Sequence, residues 1–299
     1  MAESVFHVEG STSTLLGILN QFNGASELNY ETILATTINT KRKVFPNVKP
    51  PTLPVIRYFG IGLNGFFNTD DINGQAPHQP LPTNMDLYEP IPLRCVPLDE
   101  DLDPEERKLY RMRSILEKDR TKYALYWLKL INYDPNRVQL IQKSPNGAES
   151  EFALNNLSST IEDMLNPVPP KLLAGGETPL SQNRYIVRVV GKCSVNSFEV
   201  MEAINVLYPN NINKAHISEI GFYTGCEIYV NTTNKVDNLL GTNQVHPVMA
   251  DVAPPAGANN KEAVYVQLAK HRCFTGVNMT GDVSFEPTIA FEAGGTIDI

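Results

Sequence analysis

Charge is what this sequence has least of. Charged residues make up 19% of the 299, against about 25% in a typical soluble protein. The 25 Lys and Arg are outnumbered by 33 Asp and Glu, for a net charge of −8. A general nucleic-acid binder needs a basic face, so nucleic acid is not an expected partner. Also lacking is any stretch approaching the roughly 18 apolar residues of a membrane span. The opening MAESVFHVEG has no basic region followed by an apolar run, so no secretory signal is read there and the expected place of synthesis is the cytoplasm. Sequons at Asn156, Asn231 and Asn278 carry no weight without that route. Cysteine is scarce: Cys95, Cys193, Cys226 and Cys273 lie 98, 33 and 47 residues apart. That spacing holds no CxxC and no Cys/His pair of a zinc motif, so reduced structural thiols and no metal are expected.

Neutral polar residues fill the deficit. The 28 Asn exceed all Lys and Arg together, a bias toward turns and β-structure over long surface helices. The expected fold is α+β and β-rich. An N-terminal mixed domain, 1–165, carries a few helices and long Pro-rich loops; 166–180, with four prolines and a Gly-Gly pair, is the linker; 181–299 is an antiparallel β-sandwich-like domain with one short helix.

Within the first domain, STSTLLGILNQFN (11–23) has helical spacing after cap residues, and 27–35 is a second helical stretch. The strongest helix signal begins at Asp103, where a cap residue, Pro104, Glu105 and Glu106 suit a first turn, and Leu109, Met112 and Leu116 form a stripe. Six acids from Asp99 to Glu106 precede seven bases from Arg107 to Lys122. TKYALYWLKLI (121–131) is a strand with Tyr123, Tyr126 and Trp127 in the core, and RVQLIQ and EFALN flank a hairpin turn. In the second domain, a strand (185–190) and a helix (197–207) lead to strands at 217–223 and 226–230, then 264–269 and two terminal strands.

Few motifs point to chemistry. GIGLNG (60–65) matches the G-x-G-x-x-G string, but FFNTDDINGQAPHQP cannot be the helix whose N-terminus holds a pyrophosphate, so no dinucleotide is expected. Asp99, Asp101 and Asp103 open like a calcium loop, yet its sixth and twelfth positions are Pro104 and Tyr110. Five histidines are scattered, and His271 beside Cys273 is the one suggestive pair, with period two placing both on one strand face. No third group orients them, so no catalytic residue, enzyme activity or cofactor is expected.

AHISEIGFYTGCEIYVN (215–231) resembles the "I-x-E-I/L-G-L/F-Y/W" strand and turn of virion proteins of tailed bacteriophages, notably baseplate and tail-appendage proteins. KHRCFTGVNMTGDVSFEPTIAFEAGGTIDI (270–299) is similar to the strands that follow it there. The resemblance implies a non-enzymatic structural protein of the tail baseplate or an adjoining connector. It implies other virion proteins as partners, a homo- or hetero-oligomer, and assembly in the host cytoplasm before incorporation into the virion. The residues expected to make contacts are Arg107, Arg111 and Arg113 on the basic helix, with Pro50, Pro51 and Pro90 in the loops 45–54 and 77–97. The alternatives are a neck or collar protein of the same particle, or a carbohydrate-binding β-sandwich module using Tyr223 and Tyr229.

Overall fold

The computed structural model describes residues 11–13, 55–68, 75–143, 147–152, 184–211, 214–230, 245–246, 260–281 and 283–293. The protein is β-rich, and every strand pair among them is antiparallel. In chain order the strands are β1 (Ser11–Ser13), β2 (Val55–Gly62), β3 (Phe66–Asn68), β4 (Gln75–Pro77), β5 (Pro90–Ile91) and β6 (Arg94–Pro97). Then come β7 (Tyr110–Lys118), β8 (Thr121–Leu130), β9 (Asn132–Lys143), β10 (Glu149–Phe152), β11 (Arg184–Lys192) and β12 (Val195–Asn196). The last are β13 (His216–Val230), β14 (Val245–His246), β15 (Asn260–Asn278), β16 (Ser284–Phe285) and β17 (Thr288–Ala293). Two α-helices are described, α1 (Pro104–Arg107) and α2 (Ser197–Leu207).

Packing groups the chain into two interleaved units, Met1–Ile131 with Ser194–Glu286, and Asn132–Cys193 with Pro287–Ile299. The sequence boundary at 166–180 lies outside the described residues, and the grouping is not the linear division into 1–165 and 181–299. The first unit holds a nine-stranded sheet in the order β1-β15-β13-β2-β8-β6, with β14 on β13, β5 on β2 and β7 on β8. The second holds a four-stranded sheet, β10-β9-β11-β17. In it, β9 and β10 form the hairpin expected around the Ser-Pro-Asn-Gly turn.

The first unit's core gathers Tyr58, Met112, Leu125, Trp127, Leu128, Tyr223, Val266 and Leu268. Tyr126 is fully buried and Trp127 donates its indole N–H to Ser114 Oγ at 2.7 Å, as a buried indole requires. All four cysteines are buried, and none of them is in a disulfide. Helix α2 forms where the sequence places it. Asn196 and Glu199 close a capping box at its start, and Val200, Ala203 and Ile204 face inward. Thr224-Gly225 does not split two strands: β13 runs through it with register shifts on both sides.

The basic helix is the main correction. Only Pro104–Arg107 is helical, started by Asp103 Oδ1 accepting from the N–H groups of Glu105 and Glu106. Tyr110–Lys118 is a strand paired along its length with β8. Asp119 and Arg120 connect them with φ of +52° and +66°, the two left-handed residues of a tight type I′ hairpin turn. That turn usually carries Asn-Gly, and Lys-Asp-Arg-Thr hides it. The hairpin pairing with β8, together with burial, overrides a helical stripe whose local propensity is worth only tenths of a kcal/mol per residue. Ser11–Ser13, read as a helix start, is a strand against β15. The helical readings of 14–23 and 27–35 lie outside the described residues.

Candidate functional site

Three chemically capable side chains meet on one face of the β13–β15 pair. Glu219 is directly opposite Cys273, and His271 is opposite Gly221. Period two along β15 puts 271 and 273 on the same side. His271 Nε2 lies 3.0 Å from Glu219 Oε2 and 3.6 Å from Cys273 Sγ, and all three residues are fully buried. On the other side of the ring, His271 Nδ1 is 3.2 Å from Asn84 Nδ2, and the Tyr88 ring lies against it with centroids 5.0 Å apart.

The glycine string makes room for this carboxylate. Gly62 of β2 is the cross-strand partner of Glu219, and a Cβ there would stand 2.5 Å from Glu219 Oε1 and 2.9 Å from the Glu89 carbonyl oxygen. A Cβ on Gly65 would collide with the backbone of Ser218, whose hydroxyl accepts the Gly65 N–H at 2.8 Å. With the backbone so close, Asn64 N–H and Glu89 N–H both donate to Glu219 Oε1, at 3.1 and 2.8 Å, and Tyr88 N–H donates to Oε2 at 2.9 Å. The G-x-G-x-x-G stretch thus helps cradle an anion, and that anion is the chain's own Glu219.

Burial alone would push the Glu219 carboxyl up. The hydrogen bond from His271 and those from the Glu89 and Tyr88 backbone outweigh it and hold the group below its usual range. Burial, reinforced by Glu219, pushes the Cys273 thiol up to about 12. A Cys-His nucleophile is therefore disfavoured here. The thiol and the carboxylate face the same nitrogen, so the imidazole cannot take a proton from sulfur while its opposite nitrogen is oriented by an acid. What the set offers instead is one N, one S and one O donor, each within 4.8 Å of the others.

A cleft of about 270 Å³ lies nearby, lined by Leu63, Asn64, Phe66, Glu89, Asn211, Lys214 and His216. Its charges are engaged within the chain: the Glu89 carboxylate accepts from Lys214 Nζ at 2.9 Å and from Tyr208 OH at 2.9 Å.

The residues expected to meet partners are elsewhere, and the arginines turn inward. Arg111 pairs with Glu227 at 2.8 Å and Arg113 with Asp101 at 2.7 Å, with side chains only 4% and 2% exposed. Arg107 is buried with its guanidinium over the Tyr126 ring. Arg111 and Arg113 of β7 thus reach carboxylates on neighbouring elements, while Arg107, at the end of α1, lies against an aromatic ring. Asp101 accepts from Arg113, from Tyr126 OH at 2.9 Å and from Leu102 N–H, and Asp103 caps α1, so both acids have structural tasks. Pro90 is half-buried in β5 opposite Gly62. Pro50 and Pro51 lie outside the described residues. Tyr223 is no ligand platform: it is in the core, with its hydroxyl 3.3 Å from Asp86. Glu219 is the member of the cluster that sequence reading missed. Its only signal was the acid inside ISEIGFY, 52 residues from His271.

Fold and site together define an antiparallel β-protein with a buried Glu-His-Cys cluster between two long strands. The chain belongs to the family of unknown function DUF7208, which matches residues 1–240. Glu219 falls within the matched stretch, and His271 and Cys273 follow it. No curated protein and no solved structure matches the chain. No helix among the described residues is long and apolar enough to cross a membrane.

Proposed function

We propose that this chain is a structural component of a tailed-phage particle, in the tail baseplate or an adjoining connector, acting by multivalent contacts with other virion proteins. The observation that carries this reading is the ISEIGFY pattern, which sits in β13 and pairs with the KHRCFTGVN strand of the same resemblance. Glu219 and Gly221 of the pattern have packing tasks, receiving backbone N–H groups and facing His271. Arg111 with Glu227 and Arg113 with Asp101 are engaged in pairs within the chain, which suits a scaffold. Contacts with neighbours fall to the segment 81–88, where Leu81, Met85 and Tyr88 are exposed and Leu87 anchors the loop in the core. Exposed apolar side chains grouped on one loop gain burial at a subunit interface. On this reading the chain has no enzymatic step, and it assembles in the host cytoplasm as part of an oligomer.

Immunogold electron microscopy of purified particles, with an antibody that binds the native chain at an accessible epitope, tests the reading. Gold at the tail end supports the baseplate, and gold at the head–tail junction moves the chain to the neck or collar. Particles without gold remove the virion reading.

A further inference from the structure

We propose that Glu219, His271 and Cys273 bind a zinc ion that ties β13 to β15. This departs from the sequence-based expectation of no metal, because the third donor comes from a strand distant in sequence. It stands apart from the virion reading, since either can fail without the other.

The donor set suits zinc, which takes thiolate, imidazole and carboxylate together. For a tetrahedral ion with Zn–S about 2.3 Å and Zn–N and Zn–O about 2.0–2.1 Å, the S···N edge is about 3.5 Å and the N···O edge about 3.3 Å. The corresponding separations are 3.6 Å between Cys273 Sγ and His271 Nε2, and 3.0 Å between His271 Nε2 and Glu219 Oε2. The third edge, between the thiol and the carboxylate, lies within 4.8 Å, so side-chain shifts that draw these two together complete three corners. These are the donors of that type brought together among the described residues, so the fourth corner goes to a water.

Charge balances as well. The +2 of the ion is cancelled by one thiolate and one carboxylate, leaving a neutral centre where burial penalises net charge. On binding, the Cys273 thiol loses its proton to solvent, and the imidazole proton passes from Nε2 to Nδ1 by exchange with water. The surroundings accommodate that change. Asn84 faces both His271 Nδ1, at 3.2 Å, and Tyr88 OH, at 3.1 Å. Its amide can donate to a bare Nδ1, or turn over and accept from Nδ1–H with Tyr88 OH as second donor. Glu219 Oε1 is meanwhile held by Asn64 and Glu89 N–H, which orients Oε2 as a ligand.

The test uses the full chain, exposed to Zn²⁺, desalted and assayed by inductively coupled plasma mass spectrometry, with Co²⁺ substitution as the spectroscopic readout. The expected result is about one zinc per chain, and a tetrahedral cobalt spectrum with a thiolate-to-metal charge-transfer band. Cys273→Ser should lose the zinc, Cys226→Ser should keep it, and Asn84→Ala should weaken affinity roughly 10–100-fold. Wild-type protein without stoichiometric zinc would overturn the proposal. So would a folded Cys273→Ser that keeps its zinc. If Cys273→Ser does not fold, the wild-type cobalt spectrum decides, and a spectrum without the thiolate band rejects the site.

Discussion

Gly62→Ala probes the carboxylate cradle directly. The new methyl would stand 2.5 Å from Glu219 Oε1, 2.8 Å from its Cδ and 2.9 Å from the Glu89 carbonyl oxygen. Those positions are fixed on several sides, since Oε1 accepts from Asn64 and Glu89 N–H and Oε2 accepts from Tyr88 N–H and lies 3.0 Å from His271 Nε2. Forcing a methyl into such a site costs about 1–3 kcal/mol by overpacking. Relief by rotating the carboxylate gives up at least one hydrogen bond to a charged group, about 1.5–3 kcal/mol. Together these come to about 2.5–6 kcal/mol, which at a urea m-value of about 3 kcal/mol/M lowers the denaturation midpoint by about 0.8–2 M. Equilibrium urea unfolding of the purified full chain, followed by Trp127 fluorescence and circular dichroism, measures it. Shortening Glu219 to Ala removes the two closest atoms of the clash, so Gly62→Ala must cost less in that background than in the parent. A midpoint change below about 0.3 M, or full additivity of the two substitutions, would refute the claim that Gly62 exists to admit the Glu219 carboxylate.

Two further outcomes follow from the same packing. Asp101→Ala removes the carboxylate that pairs with the buried Arg113 guanidinium and should cost about 3–5 kcal/mol, while Asp101→Ala with Arg113→Met should recover much of that. By the same argument, Arg111→Glu with Arg113→Glu should unfold the isolated chain, read by circular dichroism, and so cannot serve as a probe of partner contact. His216 is held below its ordinary pKa by burial, so the folded state resists its protonation. Its folded value lies under the unfolded value of about 6.5, so the unfolded chain binds more protons in the window between them. Stability should therefore be complete above about pH 6.5–7 and fall as pH drops through 6.5 toward the folded value. His216→Gln should flatten that part of a stability-against-pH curve, and an unchanged curve would count against the assignment.

Local rules settled what depends on neighbours in the chain. Low charge and abundant Asn made β-structure the expectation, and the sheets are antiparallel. Helix α2 was legible because its cap and its apolar face lie within eleven residues. The strand at 121–130 and the hairpin of β9 and β10 were legible for a similar reason, a dense apolar run in one and a glycine turn in the other. The failure at 107–118 is the informative contrast. Leu109, Met112 and Leu116 have helical spacing, but pairing with β8 and burial against Asp101, Glu227 and Glu262 decided otherwise. Met112 adopts φ +61° there, with its N–H on the Glu262 carboxylate. No count of charges along the chain reveals that Arg111 will find Glu227 on a strand 116 residues away.

The site divides along the same line. The sequence by itself determined that His271 and Cys273 would share a face wherever their segment is a strand, and that GIGLNG opens no nucleotide-binding helix, because both follow from local period and composition. Only the tertiary structure brought Glu219 opposite Cys273, set Gly62 beneath its carboxylate and turned the backbone of Asn64, Tyr88 and Glu89 toward it. Strand register is fixed by which faces bury, and it joins residues more than fifty positions apart. A three-donor cluster assembled across a sheet leaves no spacing in the chain by which to find it.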